Sequence, residues 1–383
     1  MRLFPYQRLR LSLLLAALAV VAAGQKPDFS GQASGGMMLN RDTSCRVQAG
    51  LRYIPSLSMA LPPYLDAEVS VNASASALAR SLDSIDTTDV RARPYRAWAR
   101  FSTERFEARA GLQKINFGSA TMLRPLMWFD RVDPRDPLEL TEGVYGLLGR
   151  YYFQNNANVW AWSLLGNSAP KGWEQLGSVR WKPEFGGRAQ LPVPRGEVAA
   201  TYHHRTVDFS QVSKNYVLLD EQDEDRLGLD AKVDIGVGLW LEGTLSRTTR
   251  YLIDREEDPP VWARAATLGT DYTFGIGNGL GVIAEHMLVG AAAEPFGRGS
   301  MSDAHVSALM LSYPIGILDN LRAIALYDWR NKGVYSFVGW QRTLDSWLFS
   351  VSAFWNPDTP VSLGAPGGGA AGKGIQVMVV FNH

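Results

Sequence analysis

The chain has 383 residues, with 38 basic and 38 acidic side chains, so its net charge is zero and gives no global drive toward nucleic acid. Its one cysteine, Cys45, excludes an internal disulfide framework and a cysteine-based metal cluster. The length admits two or three soluble domains or one large closed barrel.

Residues 1–24 read as a secretory signal peptide. Arg2, Arg8 and Arg10 precede an apolar run from Leu11 to Ala23, and Ala22-Ala23-Gly24 supplies the small residues of a cleavage site near Gly24–Gln25. The run is too short to anchor in a bilayer, and no later stretch of about 18 apolar residues predicts a membrane-spanning helix.

From there to the end the pattern is alternation. In 47–53, Val47, Ala49, Leu51 and Tyr53 alternate with Gln48, Gly50 and Arg52. Residues 66–77 read DAEVSVNASASA, with Ala or Val at every second position and a polar residue between. Such alternation predicts strands, because successive side chains point to opposite faces. The same pattern recurs in 105–112, 226–235 and 239–246. In 347–355, Trp347, Phe349, Val351, Ala353 and Trp355 share one face. The two tryptophans are about 26 Å apart along a strand, which fits a lipid-facing band bounded by aromatic girdles. Tyr327 and Trp329 close the outward face of 321–329 in the same way. The Ala/Val faces therefore meet lipid and the Asp/Glu/Ser faces line water.

Taking 28–39 as the first strand gives about 18 strands, with 16 as the alternative. Long joins are predicted near 79–90, 115–142, 208–223, 250–262, 291–302 and 357–373. Short ones are predicted near 61–65, 102–104, 154–156, 236–238, 275–279, 314–319 and 343–345. Two joins depart from the alternation: 331–333 is short, and 185–195 is long and holds Pro192 and Pro194. Short turns on one rim and long loops on the other are the habit of outer-membrane barrels. A soluble sandwich would need a bulky, interdigitated core face, which Ala- and Gly-rich faces do not supply. The predicted fold is all-β: a single transmembrane antiparallel barrel over 25–383.

Two stretches carry a resemblance. Residues 104–118, ERFEARAGLQKINFG, followed by a long loop, resemble the Arg-Xaa-Gly-Xaa-Gln segment of alginate-export-type and related outer-membrane porins. The closing strand GIQVMVVFNH (374–383) resembles the assembly signal of outer-membrane barrels, except that Asn382 and His383 follow the aromatic Phe381. The chain looks like a member of that porin superfamily, and in particular of its Bacteroidetes-type barrels. The resemblance implies a place in the bacterial outer membrane among lipid and lipopolysaccharide, and recognition of 374–383 by the barrel-assembly machinery. It also implies passive passage of small hydrophilic solutes.

Basic residues gather at Arg91, Arg93, Arg96, Arg100, Arg105 and Arg109, with Arg91 and Arg93 placed in a loop because Pro94 follows. Later strands carry Asp230, Asp234, Glu242, Asp271 and Glu285. Opposed walls of this kind would set a transverse field across the pore; alternatively, the charges neutralise one another and stiffen the wall. The longest join holds LRPLMWFDRVDPRDPLELTEG, whose Trp-Phe centre argues against disorder. It is expected to form the constriction, with Arg124, Asp130, Arg131, Asp133, Arg135 and Asp136 at the eyelet, or else a cap above the barrel. His203 and His204 point to opposite faces of a strand and cannot share a metal. No nucleophile elbow, zincin helix or phosphate loop occurs, so no metal, cofactor or enzymatic step is predicted. The rival readings are a selective carrier of an anionic polysaccharide, an outer-membrane enzyme and a plugged structural barrel.

Overall fold

The computed structural model describes residues 27–41, 45–61, 63–81, 84–210, 220–252, 255–296, 304–359, 361 and 371–383. The predicted signal peptide and its cleavage site lie outside these residues. Eighteen strands follow one another. The first six are β1 (Asp28–Arg41), β2 (Cys45–Leu61), β3 (Leu65–Ser81), β4 (Ser84–Ser102), β5 (Phe106–Gln113) and β6 (Val144–Tyr152). Next come β7 (Asn158–Leu164), β8 (Glu184–Val193), β9 (Gly196–Asp208), β10 (Glu221–Asp234), β11 (Gly238–Leu252) and β12 (Arg255–Phe274). The last are β13 (Leu280–Ala292), β14 (Ala304–Pro314), β15 (Asp319–Asp328), β16 (Gly333–Thr343), β17 (Trp347–Asn356) and β18 (Gly372–Asn382). Each pairs antiparallel with its neighbours in sequence, and β18 pairs with β1 to close the sheet. Closure leaves no sheet edge, the condition for a β structure to cross hydrocarbon.

The pleat separates the two faces as the alternation requires. In β3, Val69 and Val71 are exposed on the outer wall while Ser70, between them, is buried on the inner one. Across β3 and β4 the register passes from Ser70–Arg96 to Val71–Pro94, leaving Tyr95 as an extra residue. This bulge accommodates a proline that cannot donate to the ladder, and it reverses the parity of β4. Arg96 and Arg100 on one side of it, and Arg93 and Arg91 on the other, consequently share the inner face. Arg91 and Arg93 thus belong to a strand; the loop expected around them is absent.

Other joins are corrected in the same way. Strand pairing continues through most of 79–90 and 250–262, so β3–β4 and β11–β12 are tall hairpins separated only by 82–83 and 253–254. The irregular join at 185–195 resolves into β8, which keeps Pro192 near its end, and a two-residue turn with Arg195 at φ 63. The long connection in that region is 165–183.

Aromatic side chains border both rims. At the short-turn rim, the rings of Tyr64, Phe101 and Phe106 follow one another, tilted, at 5.9 and 6.5 Å, and Trp347 meets Phe381 at 4.7 Å. Toward the other rim, Tyr327 packs edge-on against Trp329 at 4.8 Å, and Trp355 is exposed. Between the rims the outer wall presents Leu, Val, Ile and Ala, the apolar band of a membrane barrel. The two residues beyond Phe381 are built into the closure. His383 and Gly31 exchange backbone hydrogen bonds of 2.9 and 3.0 Å, and the His383 ring stacks on Tyr53.

Candidate functional site

The apolar core lies inside the barrel, where two long connections fold inward. The segment 114–143 leaves β5 and is fastened to the opposite wall by two carboxylates. Glu242 on β11, wholly buried, accepts the N–H groups of Ser119, Ala120 and Leu126 at 2.8, 2.9 and 2.6 Å. Glu285 on β13 accepts those of Thr121, Met122 and Leu123 at 2.6, 2.9 and 2.6 Å, and Trp240 Nε1 at 3.1 Å. A carboxylate is acceptor-only, so one side chain can satisfy several otherwise orphaned loop donors. Gly118 is required beside this latch: its φ is +102°, and a Cβ there would meet Glu242 Oε2 at 2.5 Å.

Behind the latch, Phe117, Leu126, Trp128 and Phe129 pack against Trp162 and Leu164 of β7. Phe117 stacks on Trp162 at 5.7 Å, and Phe129 meets His203 edge-on at 4.9 Å. His203 is enclosed, contacting Trp162 Nε1 at 3.2 Å and Glu184 at 3.1 Å. The second inward segment, 165–183, lies against the first. Trp173 Nε1 donates to the Arg124 carbonyl at 2.6 Å, Lys171 pairs with Glu184 at 3.1 Å, and Glu174 takes Arg205 and Arg226 at 3.0 and 3.1 Å.

Beside β6 and β7 the lumen is therefore packed, while along β9–β13 a cavity of ≈ 400 Å³ remains, with Glu174, Arg205, Glu224, Arg226 and Arg264 in its lining. Two further cavities, of ≈ 280 and ≈ 410 Å³, run along β15–β18, β1 and β2 and share Arg135, Pro137 and Phe337. Their charged lining is Arg52, Asp133, Arg135, Asp136, Asp319 and Arg322. Arg135 is clamped by Asp133 through two 2.8 Å hydrogen bonds, and Arg322 donates to the Pro134 carbonyl at 3.0 Å. Arg52 makes no hydrogen bond or ion pair among the described residues, and its Nε is buried without a partner.

Several sequence-predicted residues have other surroundings than expected. Of the eyelet set, Asp133, Arg135 and Asp136 line the cavities beside β15–β18, β1 and β2. Arg124 and Asp130 are buried in the inward segment, and Arg131 donates to the Gly172 carbonyl at 3.0 Å. Burial pushes the Asp130 carboxyl above its usual range, against the opposing pull of Arg124. Arg105 stands exposed in the turn 103–105, away from the inner wall. Asp234 caps the turn at Gly236 with a 3.0 Å hydrogen bond, and Asp271 lies half-buried opposite Gly238 near the same rim.

The remaining charges are satisfied locally. Arg100 holds Asp66 by bonds of 2.8 and 2.6 Å, and Arg109 pairs with Glu107 at 3.2 Å while lying over Trp98. Asp230 binds Arg188 bidentately, and Arg96 donates to Thr141 at the far end of the inward segment. With Glu242 and Glu285 committed to the latch, these lumen charges are paired or hydrogen-bonded among the described residues, the arrangement of the second alternative drawn from the sequence. Sequence reasoning missed Arg52, Arg322 and Asp319 as passage residues and overlooked 165–183. The stretch LGNSAPKGWEQLG carried the loop signal in its Gly, Asn, Ser and Pro content.

A closed antiparallel barrel of eighteen strands, with a long connection folded into its lumen, is the architecture of porins. In keeping with this, OccAB1 of Acinetobacter baumannii superposes with a TM-score of 0.56 at 11% identity, over 93% of this chain and 96% of that one. OccK5 (OpdH) of Pseudomonas aeruginosa gives 0.54 at 11%, over 93% and 98%. The anion-selective porin from Comamonas acidovorans gives 0.50 at 15%, over 94% and 99%. At these identities the likeness is one of fold. No protein-family model and no curated protein matches the sequence.

Proposed function

We propose that the chain is a bacterial outer-membrane porin, a passive channel for small hydrophilic solutes, with no cofactor and no covalent step. The observation that carries this reading is the open space, lined by charged side chains among apolar ones, left beside the latched segment 114–143, between residues 133–137 and the wall of β15–β18, β1 and β2. Its lining charges are three arginines and three aspartates, an even balance that supports weak ion selectivity and a sieve acting mainly by size. Tight local pairing of the other lumen charges weighs against a continuous basic track for an anionic polymer. The apolar core packed inside the barrel gives the plugged-barrel reading its one support.

Swelling of proteoliposomes in neutral sugars of increasing size separates these readings. The porin reading expects entry that falls steeply with solute size and rises linearly with concentration. Saturable entry of one solute class would favour a selective carrier, and no entry of any solute a plugged barrel.

A further inference from the structure

One polar cluster stands on the outer wall, apart from the lumen. Registers place His286 of β13 opposite Ser307 of β14, and Ser307 opposite Tyr327 of β15. Ser307 Oγ lies 2.9 Å from His286 Nδ1 and accepts a hydrogen bond from Trp329 Nε1 at 2.9 Å. The His305 ring is 5.9 Å from that of His286, and among the described residues it makes no hydrogen bond. These groups face outward, because their neighbours Leu268, Leu288, Leu309 and Val334 are exposed while Glu285 and Asp328 are buried inside.

Beneath the cluster, toward mid-membrane, the same strands leave a groove of ≈ 590 Å³, floored by Ala284 and Ala325. The outer groove over β8–β11, of ≈ 360 Å³, is lined outward by Ala, Val and Leu and carries no such head. The groove alone selects nothing, since a lipid chain loses no contact with water by entering it. Discrimination rests with the head: two imidazoles and a phenol, held beside the Trp329 indole that donates to Ser307, with no carboxylate on the outward face of the row. Such a patch complements a phosphate.

We infer that this is a docking site for one phosphorylated lipid of the outer leaflet, its phosphate on His286 and His305 beside Trp329, and an acyl chain along the alanine floor. The inference rests on the membrane placement of the barrel and is independent of transport; a channel silent in bilayers would contradict the porin reading and leave this site standing.

The test is native mass spectrometry of the full chain in non-ionic detergent with purified lipid A, dephosphorylated lipid A or inorganic phosphate. The expected result is one lipid A per barrel, with retention lowered about tenfold by removal of the phosphates. The H286A/H305A double variant and, separately, S307A should lower retention similarly, while inorganic phosphate does not compete. Heat-modifiable gel migration checks that each variant is folded. Equal retention by wild type and both variants would overturn the proposal. So would competition by free phosphate, or a lipid-free oligomer abolished by the same substitutions.

Discussion

At the scale of single residues, the lumen is organised by a few carboxylates that hold backbone. Replacing Glu285 by Ala leaves three loop N–H groups and an indole N–H without their acceptor in a water-poor setting. The expected cost is about 3 kcal/mol, more than for an ordinary hydrogen bond because the donors stay buried. Its sign is a lowered unfolding temperature together with noisier, larger conductance steps. Arg52 has the opposite character, a cation with no ion pair among the described residues, in a cavity it shares with Asp133 and Asp136. R52E should move the zero-current potential in a salt gradient toward cation preference, with little change in stability. Asp130 gives a pH signature. Its carboxyl is raised in the folded state, so the fold binds that proton more tightly than the unfolded chain does. The group therefore favours folding at low pH and progressively loses that contribution as pH rises from the unfolded pKa through the folded one. D130N should remove that dependence and raise stability at neutral pH, measured by thermal unfolding across pH in detergent.

At the scale of elements, alternation carried most of the fold and little of the lumen. The Val/Ala face of 66–77 and the Trp347–Trp355 face could be read directly, because the period of a strand sorts its side chains in two. Pro94 misled, since a bulge is a tertiary choice and the extra Tyr95 looks like any other residue in sequence. The tall hairpins beyond the membrane were read as loops because their alternation lacks an apolar face. Nor could pairing reveal that Glu242 and Glu285 serve distant N–H groups, since their partners lie more than 115 positions away in some cases. Deleting 120–140 should remove the inward segment and its latch together and raise conductance severalfold. An unchanged conductance would take this segment out of the constriction.

At the scale of the molecule, a closed barrel solves two problems. It satisfies every ladder hydrogen bond away from water, and it presents a conformable apolar surface to lipid. The interior is then free to be part core and part conduit. Here one core cluster gathers where Phe117, Trp128 and Phe129 pack on Trp162 and Leu164, and a second where Leu123 and Trp173 pack with Met287, Val306 and Tyr335. The open space follows the wall of β15–β18, β1 and β2, where Arg52, Ser336, Asn356 and Gln376 stand among Met38, Phe337, Phe354 and Met378. Single-channel recording in planar bilayers tests that division most directly, comparing native protein with the 120–140 deletion. Native barrels are expected to give discrete, ohmic steps of weak ion selectivity, enlarged in the deletion. Silence from folded native protein, with steps appearing only after deletion, would contradict an open passage beside the inward segment.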